Sequence, residues 1–392
     1  MKTRIILLMC LLTGGTLQAQ EYLREVLNKL ESIRSASYQE ERLSYLPYES
    51  KPKASYTYQV HEYRNPNDTT IGSSFVEWMK GEEIAYCIYD GQILAYIDQE
   101  PKEVEINDFS MYPFPYRPVS APFFNYTESL LRYFQTSSDS ITREVKDMDS
   151  LYYVKMVIHE PTQIEFFGRA YRMPQYPFIT DPTSQYEVWI DKKTDLPCRM
   201  MRSMSHDKSE NICSNVELNG LEMQTIRAED YFPEGYTVRK KGEKSVKELP
   251  TLEGKHAPSW TLTDAEGKVV SLDSLKSKVI LLNLTGIGCG ACHASLPFLR
   301  TLKDRFSPED FELVAIETWG NSRATLQSYA KHNGIQYKFL EGNDKVVTDY
   351  HTGGAAPFFF LIDQDRIVRK VIRGYSIEDT DKEIIDAVES LL

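Results

Sequence analysis

Residues 279–297 read VILLNLTGIGCGACHASLP, and this stretch decides the fold predicted for the C-terminal third of the chain. Val279 to Leu284 is an apolar run of the kind that is buried on both faces of a sheet. Apolar residues recur at helical spacing from Leu296 to Phe306. Cys289 and Cys292 therefore lie where a buried strand is followed by a helix.

Cysteines at the start of a helix lose their thiol proton readily. Unpaired backbone N–H groups and the helix dipole stabilise a thiolate there. They lower the pKa of such cysteines from about 8.5 into a range of roughly 3.5 to 7.5. The spacing lets Cys292 reach Cys289 within disulfide geometry. We therefore predict a redox-active pair in which Cys289 is the nucleophile and Cys292 attacks the mixed disulfide to release the substrate.

The order of the later elements predicts an α/β sandwich, and this arrangement resembles that of thioredoxin-like proteins. A strand, a helix, two strands and a helix are expected at Phe311–Ile316, Thr325–His332, Phe358–Ile362, Ile367–Ile372 and Ile377–Leu392. Ala356-Pro357 comes directly before one of these strands, and we expect a cis peptide bond at this proline. Its exposed backbone edge is predicted to bind a substrate peptide beside the sulfurs.

Two other uses of the cysteine motif compete with this prediction. Cys289 to His293 is also a C-x-x-C-H string, which attaches haem in other proteins. A zinc site would need two more ligands, and no nearby Cys or His pair supplies them. The apolar strand before the motif, Pro297 in the helix and Pro357 favour the thioredoxin-like interpretation. No metal is expected, and no cofactor beyond the cysteine pair.

A further pattern precedes the motif in residues 254–275, which include Ala257-Pro258, Trp260, Asp264 and Gly267. Together with the strand and the CGAC motif, it resembles the TlpA/ResA branch of exported thioredoxin-like proteins. The resemblance implies a dithiol reductase or isomerase that acts on protein or peptide disulfides. It also implies that a membrane electron donor keeps the cysteine pair reduced.

The chain departs from this family at four positions. Gly288 stands where the family usually has Trp, which should open the rim around the sulfurs. Ala291 replaces the common Pro. Asn283 lies where classical thioredoxins bury an Asp, and Ser295 lies where this branch often has a Glu. Neither of the usual proton carriers is therefore present.

Glu317 and His293 are the candidate proton carriers that remain. Glu317 ends a predicted strand, and His293 directly follows the second cysteine. For each, the alternative is a surface residue with no part in proton transfer. A thiol peroxidase of the peroxiredoxin type would need a Pro and a Thr before a lone cysteine, and residues 284–289 lack that arrangement.

The N-terminal region is predicted to be a β-rich antiparallel sheet after one opening helix. Residues 21–34 place apolar side chains at helical spacing. Ile84–Tyr89 and Gln92–Ile97 are predicted to form a hairpin around Asp90-Gly91, where glycine accepts a positive φ. Further strands are expected at Ser55–Tyr63, Tyr152–His159, Tyr186–Asp191 and Arg199–Met204, with a helix at Thr127–Gln135.

This region also resembles periplasmic lipoprotein-carrier proteins, though less closely. The opening helix, the Asp90-Gly91 hairpin and the strand and turn from Val188 to Pro197 carry the resemblance. It implies a curved half-barrel whose concave face could hold an apolar ligand. A second function therefore stays open, that of a carrier or scaffold whose thioredoxin-like domain is an accessory interaction module.

Residues Asp108 to Tyr126 are rich in aromatic side chains and prolines. Prolines exclude a central strand, so the segment is predicted to be a loop. It could form a lid over an apolar groove or pack onto the sheet as an ordinary loop.

The first residues indicate export. Lys2 and Arg4 precede an apolar run from Ile5 to Leu12, and Ala19 marks a cleavage point, as in a secretory signal peptide. The run is shorter than the roughly twenty residues of a membrane anchor, so a soluble periplasmic protein is expected. Lipid modification at Cys10 is an alternative, although the residue before it is not small.

The chain divides into four predicted segments. We predict a signal peptide at 1–19, a β-rich domain at 20–238, a linker at 239–250 and a thioredoxin-like domain at 251–392. The formal net charge of −12 argues against nucleic acid and anionic membranes as partners, because both reward clustered Lys and Arg.

Three cysteines lie outside the motif and the signal peptide. Cys198 and Cys213 flank a turn-like stretch, and both a structural disulfide and two free thiols are open for them. Cys87 lies in an alternating strand and is predicted to be a small core residue.

Overall fold

The computed structural model describes residues 19–110, 116–174, 181–222, 226–242 and 251–392. The predicted signal peptide, apart from its last residue, lies outside these ranges, as do the end of the predicted linker and the middle of the predicted aromatic loop. The described residues form a twelve-stranded sheet, a seven-stranded sheet and a two-stranded ribbon. In this part of the chain, no helix has the length and apolar character needed to cross a membrane.

The N-terminal part contains helix α1 at residues 19–32 and helix α2 at Phe123–Thr136. Its strands are β1 (Ser35–Tyr45), β2 (Pro52–Arg64), β3 (Ser73–Met79), β4 (Cys87–Tyr89), β5 (Leu94–Asp98), β6 (Glu103–Asn107), β7 (Ile141–Asp147), β8 (Leu151–Ile158), β9 (Ile164–Phe166), β10 (Ala170–Arg172), β11 (Ser184–Asp191), β12 (Leu196–Ser203), β13 (Lys208–Leu218) and β14 (Thr237–Lys240).

The large sheet has the strand order β14-β6-β5-β4-β3-β2-β1-β13-β12-β11-β8-β7, and β9 pairs only with β10. Neighbouring strands run antiparallel, except that β14 runs parallel to β6. The described strands form an open order with β14 and β7 at its two edges, and no closed barrel is found among them. The β-rich prediction agrees with this sheet, whereas the curved half-barrel stays a prediction.

Alternation of buried side chains explains how the sheet packs. In β8, Tyr152, Val154, Met156 and Ile158 are buried, and the residues between them are only half-buried. This period of two places one apolar face against α1 and α2, whose buried residues belong to the same core. The core therefore lies between the sheet and these two helices.

Helix α2 is fixed to the sheet by a buried carboxylate. Glu62 of β2 accepts hydrogen bonds from Tyr38 Oη (3.1 Å) and from the backbone N–H groups of Phe124 (3.3 Å) and Asn125 (3.0 Å). These N–H groups belong to the first turn of the helix, where they have no partner within the helix itself. Glu62 therefore takes the place of the capping side chain that Pro122 cannot provide.

Two details differ from the prediction. Strands β4 and β5 form the expected hairpin, but the turn falls on Gly91 and Gln92, because the Asp90 side chain accepts from the N–H groups of Gln92 (2.7 Å) and Ile93 (2.8 Å).

The second difference concerns Arg239 and Lys240. They fall in the predicted linker, but in the structure they are the last residues of β14. Arg239 forms ion pairs with carboxylates of β6, and this pairing extends the sheet by an edge strand.

The C-terminal part has a mixed α/β architecture. Its strands are β15 (Thr261–Asp264), β16 (Val269–Ser271), β17 (Val279–Thr285), β18 (Phe311–Glu317), β19 (Lys338–Glu341), β20 (Phe358–Ile362) and β21 (Val368–Arg373). Its helices are α3 (Gly290–Lys303), α4 (Arg323–Asn333), α5 (Asp344–Asp349) and α6 (Asp379–Leu391).

The strand order of this sheet is β16-β15-β19-β18-β17-β20-β21. Strands β17, β18 and β19 are parallel, and β20 runs antiparallel to β17. Helices α3, α4 and α6 pack on one face, while α5 and residues 252–275 pack on the other. The apolar run predicted as a doubly buried strand is thus β17 at the centre of the sheet, and its carboxyl end leads into the cysteine motif.

Candidate redox site

Cys289 and Cys292 are joined by a disulfide at the start of α3, and their Cα atoms are 5.2 Å apart. Cys289 is the residue that caps the helix, and its Sγ accepts a hydrogen bond from the Cys292 N–H at 3.1 Å. That N–H is one of the donors that a helix start leaves without an internal partner. The arrangement can therefore stabilise negative charge on Cys289 once the disulfide is reduced.

The Ala356-Pro357 peptide bond is cis, as predicted. The Ala356 carbonyl oxygen lies 3.6 Å from Cys289 Sγ, so this segment borders the disulfide directly. The strand β20 that follows is held by Asn283, whose Nδ2 donates to the Phe358 carbonyl at 3.2 Å. The structure thus brings together the four residues that the sequence singled out for chemistry and substrate binding.

The structure places Glu317 beneath the loop that carries the cysteines. Its Oε1 accepts from the N–H of Ile287 (3.3 Å), the N–H of Trp319 (3.1 Å) and the Asn321 side chain (2.7 Å). Its Oε2 accepts from the Asn321 N–H at 2.9 Å. The side chain is fully buried, so these bonds make Glu317 a brace between the cysteine loop and the loop after β18.

His293 lies on the side of α3 that faces α4. Its Nδ1 shares a hydrogen bond with Tyr329 Oη at 3.1 Å. Burial lowers the pKa of the His293 imidazole, and the neighbouring His206 lowers it further. The ring is therefore held in its neutral form more readily than an exposed histidine.

The sulfur pair has little exposure, with Cys289 retaining 8% and Cys292 2% of the accessible surface of a free residue. Nearby, in the loop after β18, Trp319 lies over Gly286 of the cysteine loop and donates from its Nε1 to the Gly354 carbonyl at 2.9 Å. Sequence reasoning missed Trp319, since it follows β18 and reaches the site only through the fold. It also missed Leu46 and His206, which come from the N-terminal sheet.

Cys87, Cys198 and Cys213, the other cysteines within the described ranges, form no disulfide. Of the two states that the sequence left open for Cys198 and Cys213, the structure has the free thiols. Cys213 is buried in the core of the N-terminal sheet, and burial raises its pKa. Within the described ranges, no group of three or more His, Cys, Asp or Glu side chains is placed to hold a metal ion.

Comparison with known proteins places the C-terminal region in a family. The Redoxin family model matches residues 252–388. The thiol-disulfide oxidoreductase ResA of Bacillus subtilis is 29% identical over 147 residues, which cover 37% of this chain and 79% of that protein. ResA of Geobacillus thermodenitrificans is 26% identical over 137 residues, covering 35% and 78%.

Solved structures of thiol:disulfide interchange proteins are also similar to this region. One from Chlorobium tepidum is 26% identical, covers 36% of this chain and 99% of its own, and has a TM-score of 0.31. Another from a Bacteroides species is 21% identical, covers 36% and 93%, and also has a TM-score of 0.31. On the family match, the sequence relatives and the cysteine geometry, residues 252–388 form a Redoxin domain of the thioredoxin-like thiol-disulfide oxidoreductases.

Proposed function

We propose that this chain is an exported reductase of protein disulfides, with Cys289 as the attacking sulfur and Cys292 as the resolving sulfur. The observation that carries the proposal is the position of the Cys289–Cys292 disulfide at the start of α3, beside the cis Ala356-Pro357 segment. A helix start favours the thiolate form of Cys289, and the thiolate is the reactive species in disulfide exchange.

The reaction balances as a transfer of two electrons and two protons. In the reduced enzyme, the Cys289 thiolate attacks one sulfur of the substrate disulfide, and the other substrate sulfur leaves as a thiolate that takes up a proton. Cys292 then loses its proton and attacks Cys289 in the mixed disulfide. The second substrate sulfur is released as a thiol, and the Cys289–Cys292 disulfide remains.

Substrate binding is assigned to the segment that precedes β20. The Ala356 carbonyl lies beside Cys289 and presents backbone next to the disulfide, where an extended peptide pairs with it. Main-chain pairing makes few contacts with the side chains of the substrate. It therefore allows one enzyme to act on several different disulfides. His293, held by Tyr329, is retained as a candidate proton carrier, and Glu317 is assigned the bracing role described above.

Re-reduction needs an external dithiol, and we assign it to a membrane electron donor on the periplasmic side. The charged and apolar pattern before Ala19 supports export, because it is that of a secretory signal peptide. An oxidising compartment supplies protein disulfides as substrates.

The test is reduction of insulin by the purified mature protein with dithiothreitol as the electron source. Wild-type protein is expected to accelerate the reaction, and Cys289→Ser to abolish the acceleration. Cys198→Ser is the matched control, because this half-buried thiol lies in the N-terminal sheet and should leave the rate unchanged. Equal rates for wild-type protein and Cys289→Ser would end the proposal.

The carrier or scaffold function remains the alternative. A cavity of about 340 Å³ in the N-terminal sheet is lined by aromatic side chains such as Phe123 and Phe166, but also by Glu40, Glu165 and Arg202. Arg202 and Glu165 form an ion pair at 2.5 Å, and Glu40 pairs with Arg42. Part of the lining is therefore polar, and a wholly apolar ligand would contact only the aromatic part of it. Mass spectrometry of ligands that remain bound after gentle purification tests this alternative independently of the thiol chemistry.

A further inference from the structure

Two tips of the N-terminal sheet reach the Redoxin domain next to its disulfide. The β1–β2 tip comprises residues 46–51, and the β12–β13 tip comprises residues 204–207. Both join strands near the middle of the large sheet, and Leu46 of one tip and His206 of the other lie beside Gly288 and Gly290 at the start of α3. The redox site is therefore bordered by side chains from a part of the chain that the Redoxin family model does not cover.

The β1–β2 tip makes apolar, aromatic and polar contacts. Leu46 packs into the cluster of the Redoxin domain that contains Ile287 and Leu296. Tyr48 stacks on His332, with ring centroids 4.4 Å apart and planes at 7°. Leu46 is partly buried there and anchors the tip through apolar contact.

Strand β2 adds a polar contact just after this tip. Lys53 Nζ donates to the Asn321 side chain at 2.9 Å and to the Trp319 carbonyl at 3.3 Å. Both partners follow β18 and lie above the brace formed by Glu317. The tip is thus tied to the same loop that places Trp319 over Gly286, in the loop that carries the cysteines.

The β12–β13 tip places His206 over the first residue of α3. A Cβ atom built on Gly290 would lie 3.2 Å from His206 Nε2, so the imidazole fills the space that a side chain at this position would need. The His206 ring is also 6.3 Å from that of His293, measured between centroids. His206 therefore covers the helix start between the two cysteines.

Each of the two glycines that flank Cys289 lies beside one of these tips. Gly288 has a φ of 96°, and the nearest atom to a Cβ built there is Leu46 Cδ2 at 3.9 Å. Gly290 faces His206 in the same way. At these two glycines the Redoxin domain has no side chain, and Leu46 and His206 of the N-terminal sheet lie in the space beside them.

We propose that the N-terminal sheet completes the exchange site, and that Leu46 and His206 are specificity-determining residues on the rim around Cys289. The inference rests on the proposed disulfide chemistry and adds the substrate class. With these side chains in place, the route to Cys289 is narrow, which agrees with its 8% exposure. Disulfides in small molecules and in extended, flexible segments pass the rim readily, whereas disulfides on the bulk of a folded protein react more slowly.

The first experiment measures access to Cys289 in the full-length chain. In a Cys292→Ser background, reduced protein is alkylated with iodoacetamide or with a maleimide that carries a bulky polyethylene glycol chain, and the peptide containing Cys289 is followed by mass spectrometry. Leu46→Ala and His206→Ala are each expected to raise the rate with the bulky reagent several-fold more than the rate with iodoacetamide. Lys193→Ala, in the exposed turn between β11 and β12, is the control and should change neither rate.

Both rim variants are compared because Leu46 also contributes packing, whereas His206 lies on a turn outside the core clusters. Unchanged ratios of the two alkylation rates in His206→Ala would overturn the proposal even if Leu46→Ala unfolds. An equal rise with both reagents would also contradict it, since loosening of the whole domain does not depend on reagent size.

The second experiment compares reduction of oxidised glutathione with reduction of insulin by variants that retain both cysteines. His206→Ala and Leu46→Ala are expected to raise the insulin rate relative to the glutathione rate. If the ratio of the insulin rate to the glutathione rate is the same in the wild type and the variants, Leu46 and His206 do not determine specificity. The proposed reductase function would be unaffected by that result. Failure of the wild-type protein to reduce either substrate would instead refute the proposed function.

Discussion

At the scale of single residues, Glu317 is the group on which the shape of the cysteine loop depends. Its two oxygens accept four hydrogen bonds from N–H groups of Ile287, Trp319 and Asn321. No neutral side chain of the same size can accept all four, because the amide of glutamine replaces one oxygen with a donor. The carboxylate therefore holds the loops after β17 and β18 in one arrangement.

Glu317→Gln is expected to lower the free energy of unfolding by about 2 kcal/mol, since at least one buried N–H loses its acceptor. The measurement is urea unfolding with the disulfide intact. Glu309→Gln, an exposed change in the segment before β18, is the control and should be nearly neutral. A Glu317→Gln variant as stable as the control would show that the brace does not hold the loop.

Some residues of the redox site were predictable from the sequence, and others were not. Cys289, Cys292 and Pro357 were predictable because spacing and the neighbouring strands fix their places. Trp319, Leu46 and His206 were not, because each is brought to the site by tertiary packing rather than by any local pattern. Gly288 and Gly290 were visible in the sequence, but the side chains that fill their empty space come from strands far away in the chain.

At the scale of elements, helix α2 depends on Glu62 of β2. Burial raises the pKa of Glu62 to about 7, whereas a glutamate in an unfolded chain has a pKa of about 4.3. Between these values the folded state binds more protons than the unfolded state. The contribution of this group to stability therefore falls as the pH rises from about 4 to about 7.

Glu62→Gln removes this titration, because the amide has no proton to lose in this range. The free energy of unfolding of the wild type, taken relative to Glu62→Gln, is expected to decrease between about pH 4 and about pH 7. Urea unfolding at several pH values measures it, and Glu83→Gln on the exposed surface should track the wild type. A difference that stays constant with pH would contradict the raised pKa.

Elements with a clear apolar period were the predictable part of the fold. Strands β2, β8, β11, β17 and β18 and the helices α4 and α6 were found close to their predicted bounds, whereas α2 begins at Phe123, inside the segment predicted to be a loop. The long strands β1 and β13 were missed because both are rich in polar side chains, and β3, β6, β7, β9, β10, β15, β16, β19 and the short helix α5 were missed as well. The shortest of these carry too little periodicity to show a pattern. Edge strand β14 was missed because it has no apolar face: Arg239 pairs with carboxylates of β6, and Lys240 pairs with Asp108.

At the scale of the whole molecule, two histidines lie where the sheets of the chain meet. Burial lowers the pKa of His206; Arg202 lowers it further, while Asp207, Asp181 and Glu165 act in the opposite direction. His293 on the other side is lowered by burial, by His206 and by Arg300, with Asp181 opposing. Both rings therefore bind protons less readily in the folded chain than at the ordinary histidine pKa of about 6.5.

The unfolded chain thus binds more protons than the folded chain around and below pH 6.5, so acidification should weaken the fold. From about pH 7.5 to about pH 5, the wild type is expected to lose more unfolding free energy than His206→Asn does. His159→Asn, at an exposed site in the N-terminal sheet, is the control and should lose as much as the wild type. Identical losses in wild type and His206→Asn would argue against a buried neutral imidazole at this contact.

The central claim is that Cys289, at the start of α3, is the sulfur that attacks a substrate disulfide. Cys292→Ser cannot resolve the mixed disulfide, so incubation of the reduced variant with insulin should trap a covalent complex. Digestion under non-reducing conditions and mass spectrometry locate the bond. The account predicts an insulin cysteine linked to Cys289, whereas no adduct, or one on Cys87, Cys198 or Cys213, would contradict it.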